Sequence, residues 1–157
     1  MNIFKTLILT LLLIHLLVSS CSYQKMNAIN QKKFYIQEFE VKGEAKESFI
    51  IQKKIQRFSN KDSENRIKII IDLTKNRSIK EKNIQNKVIK YNLSLSADVK
   101  IIELNSTREV SRNFTANQTY NVEDSYSGTV NNSKDANNSL IDTITDEILD
   151  QLRIYYN

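Results

Sequence analysis

Between Ile89 and Ile101, seven apolar or aromatic residues (Ile89, Tyr91, Leu93, Leu95, Ala97, Val99, Ile101) hold every second position, alternating with Lys90, Asn92, Ser94, Ser96, Asp98 and Lys100. A strand turns successive side chains to opposite faces, so this run specifies a long strand with one dry face and one wet face. It excludes an all-helical bundle, because a period of two cannot lie along one stripe of a helix. Asn105-Ser106 then offers a turn, and Val110, Arg112, Phe114, Ala116, Gln118 and Tyr120 return on alternate positions. The two runs read as a long hairpin whose second strand is the more polar. Its dry face needs a cover, and the rest of the chain has to supply one.

Upstream, Phe34–Val41 has the aromatic and β-branched bias of a strand, closed by Gly43, a residue suited to a turn. Ser48, Ile51, Ile55 and Phe58 recur at spacings of three and four, with Phe49 widening the stripe, which predicts a helix of about 15 residues. Ile67, Ile69, Ile71 and Leu73 alternate with polar neighbours and predict another strand, followed by a polar loop over Lys75–Lys87. Ile141, Ile144, Ile148, Leu152 and Tyr155 share one helical stripe near the chain end, with Ser133 available as its cap. The expected order is β-α-β-β-β-α. The economical packing is an α+β two-layer sandwich, with a mostly antiparallel four-stranded sheet and two helices on one face.

The first twenty residues are of a different kind. Lys5 is followed by an apolar run from Thr6 to Val18, too short for a spanning helix, and then by Ser19-Ser20-Cys21. This reads as a secretory signal, and Leu17-Val18-Ser19-Ser20-Cys21 resembles the bacterial lipoprotein processing box. The resemblance implies acylation of Cys21 and cleavage before it. By analogy with lipoprotein sorting, Ser22 after the cysteine implies the outer membrane, facing the periplasm. The expected organisation is a signal peptide over 1–20, a lipidated tether over 21–32 and one periplasmic domain over 33–157.

That processing sharpens what composition excludes. The mature chain would keep 137 residues, with 22 basic and 18 acidic groups, and would lose the single histidine, His15. With its only cysteine lipidated, it could form no thiol or imidazole catalytic centre and no zinc cluster. No cofactor or metal is expected. Gly43 and Gly128 stand alone, so no glycine-rich phosphate loop exists. Paired carboxylates remain possible in principle, but Asp142, Asp146, Glu147 and Asp150 fall on the wet face of the last helix. The chain is therefore not expected to be an enzyme, nor, with so small a charge excess and an export signal, to bind nucleic acid.

Val88-Ile89-Lys90-Tyr91-Asn92-Leu93-Ser94-Leu95 carries a Tyr-x-Leu core. The ending runs through Ala116–Val122, Tyr126, Lys134-Asp135-Ala136 and a terminal amphipathic helix. Behind a lipoprotein signal, this succession resembles the LptE family of lipopolysaccharide-assembly lipoproteins, partners of the outer-membrane barrel LptD. The resemblance implies a non-enzymatic plug inside a barrel lumen that aids barrel assembly and lipopolysaccharide delivery. Lipopolysaccharide carries phosphates. The Lys75–Lys87 segment holds five basic residues and one acidic residue, and an arginine can grip phosphate with two prongs while lysines act as point charges. Lys75, Arg77 and Lys80 are the candidates from that segment. The family's basic contact positions match Lys87 and Lys134. The short polar side chains Asn92, Ser94, Ser96, Asn113, Thr115 and Asn117 suit a hydrated contact with a polar barrel interior, and Arg112, on the otherwise apolar register, is grouped with them as a partner contact or as a mate for Glu109. Two other readings stay open at this level: an auxiliary lipoprotein of a phospholipid-type ABC transporter, and a cell-wall glycan hydrolase.

Overall fold

The structure is a computed structural model and describes residues 33–156. The signal segment, Cys21 and the tether lie outside the described residues. Six elements follow in the expected order: β1 (Tyr35–Gly43), α1 (Ala45–Gln56), β2 (Arg66–Lys82), β3 (Val88–Glu103), β4 (Glu109–Asn121) and α2 (Tyr126–Tyr155). The strands form one sheet in the order β1-β2-β3-β4. β1 runs parallel to β2, and the other two pairings are antiparallel. The sheet is mostly antiparallel, as the α+β reading expects, and the parallel β1–β2 pair makes it mixed.

Alternation decides which face is covered. Ile67, Ile69, Ile71 and Leu73 of β2, and Leu93, Leu95, Ala97, Val99 and Ile101 of β3, point one way and are buried. They meet Ile51 and Ile55 of α1 and Leu140, Ile141, Ile144, Ile148, Leu149 and Leu152 of α2 in a single core. The opposite face bears Lys68, Asn92, Ser94, Ser96, Asn113 and Thr115, and no helix or strand among the described residues covers it. At the chain end, Tyr156 packs on Phe34 with ring centroids 5.7 Å apart.

Gly43 is required where it stands. It takes φ +80 at the end of β1, and a Cβ there would lie 1.9 Å from the Leu73 carbonyl oxygen. The glycine lets the chain leave the sheet and start α1 in direct contact with β2; the Glu44 N–H donates to that same carbonyl at 3.3 Å.

Three predicted boundaries shift. α1 spans 12 residues and ends before Phe58, which is 37% exposed, and Phe49 faces outward at 59% exposure, so neither joins the buried stripe. Instead Glu47 lies on that stripe, one turn before Ile51. β2 does not stop at Leu73. It continues to Lys82 and pairs with β3 along its length, so most of the expected Lys75–Lys87 loop is strand. Only a tight turn remains, where Asn83 Oδ1 accepts the N–H of Gln85 and of Lys87, and Asn86 adopts φ 63, which asparagine tolerates. Finally, α2 begins at Tyr126 with Ser125, not Ser133, as its cap: the Ser125 hydroxyl oxygen accepts the Gly128 N–H at 3.1 Å.

Candidate functional site

The two late corrections share a cause. Past Leu73, the inward register of β2 changes from apolar to Lys75, Arg77 and Ile79. The inward side of α2 is mixed over its first three turns (Tyr126, Val130, Ser133, Lys134, Asn137), where only Ala136 reaches the core, and becomes a continuous apolar stripe from Leu140. Apart from Ala136, neither stretch packs the core. They face each other across a groove of about 790 Å³, floored by Leu93 and Tyr120 and closed at one end by Glu44, Lys46 and Glu47 at the start of α1.

The groove has an apolar side and a cationic side. Tyr126 and Val130 on α2 are 86% and 43% exposed, unusual for such side chains, and both line it. Arg77 lies with its guanidinium carbon 4.9 Å from the Tyr91 ring centre, and Tyr91 stacks on Tyr120 at 5.6 Å. Tyr91, itself backed by Tyr120, offers its ring face to the guanidinium of the exposed Arg77, a favourable cation–π contact. Lys46 and Lys134 stand across from it. Among the described residues, Lys46, Arg77 and Lys134 take part in none of the ion pairs.

Lys75 is differently engaged. Its ammonium donates to Glu47 Oε1 at 2.5 Å and lies 3.7 Å from Glu44 Oε2. Glu47 is 3% exposed. Burial, the largest single influence, pushes its carboxyl up. The hydrogen bond from Lys75, its own backbone N–H, the Lys75 charge and the Asn137 amide together outweigh burial and hold it below the ordinary glutamate value. Glu47 therefore stays charged, and Lys75 pins α1 to β2 at the groove's end.

Of the five basic residues expected to meet lipopolysaccharide, Lys75, Arg77 and Lys134 come together in this groove, although they are 59 positions apart in sequence at the extremes. Lys80 and Lys87 do not join them. Lys80 sits at the bulge between Ile79 and Glu81, and Lys87 in the hairpin turn, both exposed and outside the groove lining. Sequence reading missed Lys46, Glu47, Tyr126, Val130 and Asn137. Glu47 had a signal: it heads the i, i+4, i+8 series with Ile51 and Ile55, and a carboxylate in a buried stripe calls for a partner. Tyr126, named only as part of the chain's ending, and Val130 had none as lining residues, because two apolar side chains among polar ones do not mark a helix face.

On the opposite side of the sheet, Asn92, Ser94, Ser96, Asn113, Thr115 and Asn117 share the open face. Cross-strand pairs set Ser94 beside Asn117 and Ser96 beside Thr115. Ser96 and Thr115 hydroxyls lie 3.0 Å apart, and the Asn113 amide donates to Ser96 Oγ at 3.2 Å and to Asp98 Oδ1 at 2.8 Å. With Thr74, Asn76, Ser78 and Thr119, these residues form a stripe of ten short neutral polar side chains across three strands. Arg112 is not part of it. It is turned to the helix side, where its guanidinium donates to the Tyr155 hydroxyl at 3.5 Å, while Glu109 pairs with Lys100.

The groove sets the cations Arg77, Lys46 and Lys134 against the exposed Tyr126 and Val130, and its lining contains neither histidine nor cysteine. Among the described residues, no three His, Cys, Asp or Glu side chains gather as a metal site would need.

The same two-layer architecture occurs in solved domains of bacterial lipoproteins. It is similar to the crystal structure of rare lipoprotein B from Shewanella oneidensis, with TM-score 0.57 and 9% identity over 73% of this chain and 92% of that one. It is also similar to a protein of Caulobacter crescentus CB15 described as a lipoprotein, with TM-score 0.54 and 13% identity over 79% of this chain and 90% of that one. Lipoprotein B of Nitrosomonas europaea, solved in solution, matches with TM-score 0.55 and 12% identity over 80% and 88%. At these identities the likeness is one of fold. No protein-family model matches this chain, and no curated protein matches it in sequence.

Proposed function

We propose that this chain is an outer-membrane lipoprotein, anchored through Cys21 on the periplasmic side. In this reading it plugs a lipopolysaccharide-translocating barrel of the LptD type, assists the barrel's assembly and helps deliver lipopolysaccharide to the outer leaflet. The reading is supported by the fold shared with rare lipoprotein B and the two other lipoproteins, by the sequence resemblance to the LptE family and by the lipoprotein processing box at Cys21. The observation that carries it is the groove. Arg77 and Lys134 face a cleft whose other walls are Tyr126, Val130 and Leu93. Cations set against aromatic and aliphatic surface fit a molecule that is phosphorylated at one point and acyl-bearing at another. The neutral polar stripe on the other side of the sheet is the surface offered to the barrel lumen, where short hydroxyl and amide groups can exchange hydrogen bonds with a polar wall and with water.

The test is binding of purified lipopolysaccharide to the full chain in detergent. Replacing Arg77 and Lys134 together by glutamine removes two charge-assisted contacts, each about 1.5 kcal/mol or more, so affinity should fall at least tenfold with the melting temperature unchanged. Undiminished binding would remove the groove from the reading. In parallel, the acylated protein should be recovered from solubilised envelopes with an outer-membrane barrel. Recovery with an inner-membrane permease instead would transfer the assignment to a phospholipid-type transporter.

A further inference from the structure

The two edges of the sheet are built differently. β1 is interrupted by a bulge between Ile36 and Glu38, and it carries Glu38 and Glu40 in ion pairs with Lys68 at 3.0 and 2.5 Å. Beyond Leu73, where β1 has ended, the edge of β2 bears Lys75, Arg77, Lys80, Glu81 and Lys82. Bulges and charges of this kind keep an open edge from pairing with another chain. β4 has neither. Its 13 residues pair with β3 in unbroken register, contain no proline, and carry charge only at Glu109 and Arg112, near its beginning.

The orientation of its backbone follows from the register. The Glu103 N–H donates to the Arg108 carbonyl, and the Val122 N–H donates to the Ile89 carbonyl. Hydrogen-bonded pairs recur every second residue in an antiparallel ladder. The even-numbered residues of β4 therefore bond β3, and the odd-numbered ones turn their N–H and C=O groups outward. Asn132 of α2 takes up the Asn121 carbonyl at 3.2 Å. From Ser111 to Thr119, no backbone partner lies on that side among the described residues.

We propose that this edge pairs antiparallel with the same edge of a second copy of the chain, about a two-fold axis at Thr115. This register is self-complementary. Ser111 meets the second copy's Thr119, Asn113 its Asn117, and Thr115 its own counterpart, giving about ten inter-chain N–H···O bonds. On the open face, neutral polar side chains meet one another and the stripe continues across the junction. On the helix side, Phe114, half-buried at the edge, lies beside the small Ala116 of the other copy, Val110 beside Tyr120, and Arg112 beside Gln118. No charge faces a like charge. The inference stands apart from the groove and from the proposed ligand.

Sedimentation of the full chain in detergent over a wide concentration range tests it. A concentration-dependent species of twice the protomer mass is expected. Thr115→Pro should abolish it: the lost N–H points outward, so the ladder to β3 survives and the circular dichroism spectrum should not change. Independently, Thr115→Cys treated with a short bismaleimide should link to itself, above the baseline of the wild-type chain. Ser111→Cys should not link, since Ser111 and its counterpart lie eight residues apart along the paired strands. A monomer at every concentration, equal linking at positions 111 and 115, or capture of a different polypeptide at 115 would each overturn self-pairing.

Discussion

The Glu47–Lys75 pair is where the core gives way to the groove, and it makes a quantitative claim. Glu47 is almost fully buried, while the Lys75 side chain keeps 29% of its exposure. Lys75→Met preserves the stem and removes the charge, leaving a carboxylate with only its own N–H and the Asn137 amide. Breaking a buried pair costs about 3–5 kcal/mol, and partial access of water at the lysine end brings the figure here to about 2–3 kcal/mol. With an unfolding entropy of about 2 cal/mol/K per residue for a domain of this size, the melting temperature should fall by about 10 °C. Glu47→Gln, which leaves a partly exposed cation instead, should cost less. The double variant should regain most of the loss, because neither charge is then stranded. Thermal unfolding followed by circular dichroism reads all three. The pH dependence has a definite sign. Glu47 is held below its ordinary value, so its contribution is complete above the unfolded-state range and disappears as pH drops through the folded value. The gap between wild type and Glu47→Gln should therefore close in acid and stay constant near neutrality. A double variant no more stable than Lys75→Met, or a gap that widens in acid, would refute the reasoning.

Gly43→Ala should be among the most damaging single changes in the chain, costing at least about 3 kcal/mol, because it combines a left-handed φ with a clash against a backbone oxygen; denaturant unfolding measures it. Tyr156 should resist ionisation beyond the ordinary tyrosine range, since burial and then the charge of Glu103 push its phenol up. Its contribution is complete below the unfolded-state value and lost as pH rises, so spectrophotometric titration should find one phenol that ionises only as the protein unfolds in strong base.

The apolar half of this molecule was readable from periodicity alone. Ile67 to Leu73, Leu93 to Ile101 and Ile141 to Leu152 each announced an element because each buries a continuous stripe against the others. The halves of β2 and α2 that line the groove were hidden for the converse reason. Lys75, Arg77, Ser133, Lys134 and Asn137 sit on inward positions that meet a cleft and not a core, so their alternation or stripe carries no hydrophobic signal. Helix and strand persist there by continuity with the buried half and by pairing with β3. The convergence of Arg77 with Lys134 depends on that continuation, which no local pattern revealed. Arg112 failed differently: its register was read correctly, but a face shared with Tyr155 could not be foreseen from β4 by itself.

The neutral stripe on the open sheet face sets this surface apart from the groove in its response to ionic strength. Attraction between a cationic cleft and phosphates is screened beyond about 10 Å in 0.1 M salt and fades further as salt rises. Hydroxyl and amide groups such as Thr115, Asn117 and Ser94 carry no net charge to screen. On the proposed reading, docking on that side holds through swings in external salinity that loosen an anionic ligand on the other, so the two surfaces are released by different changes in the medium.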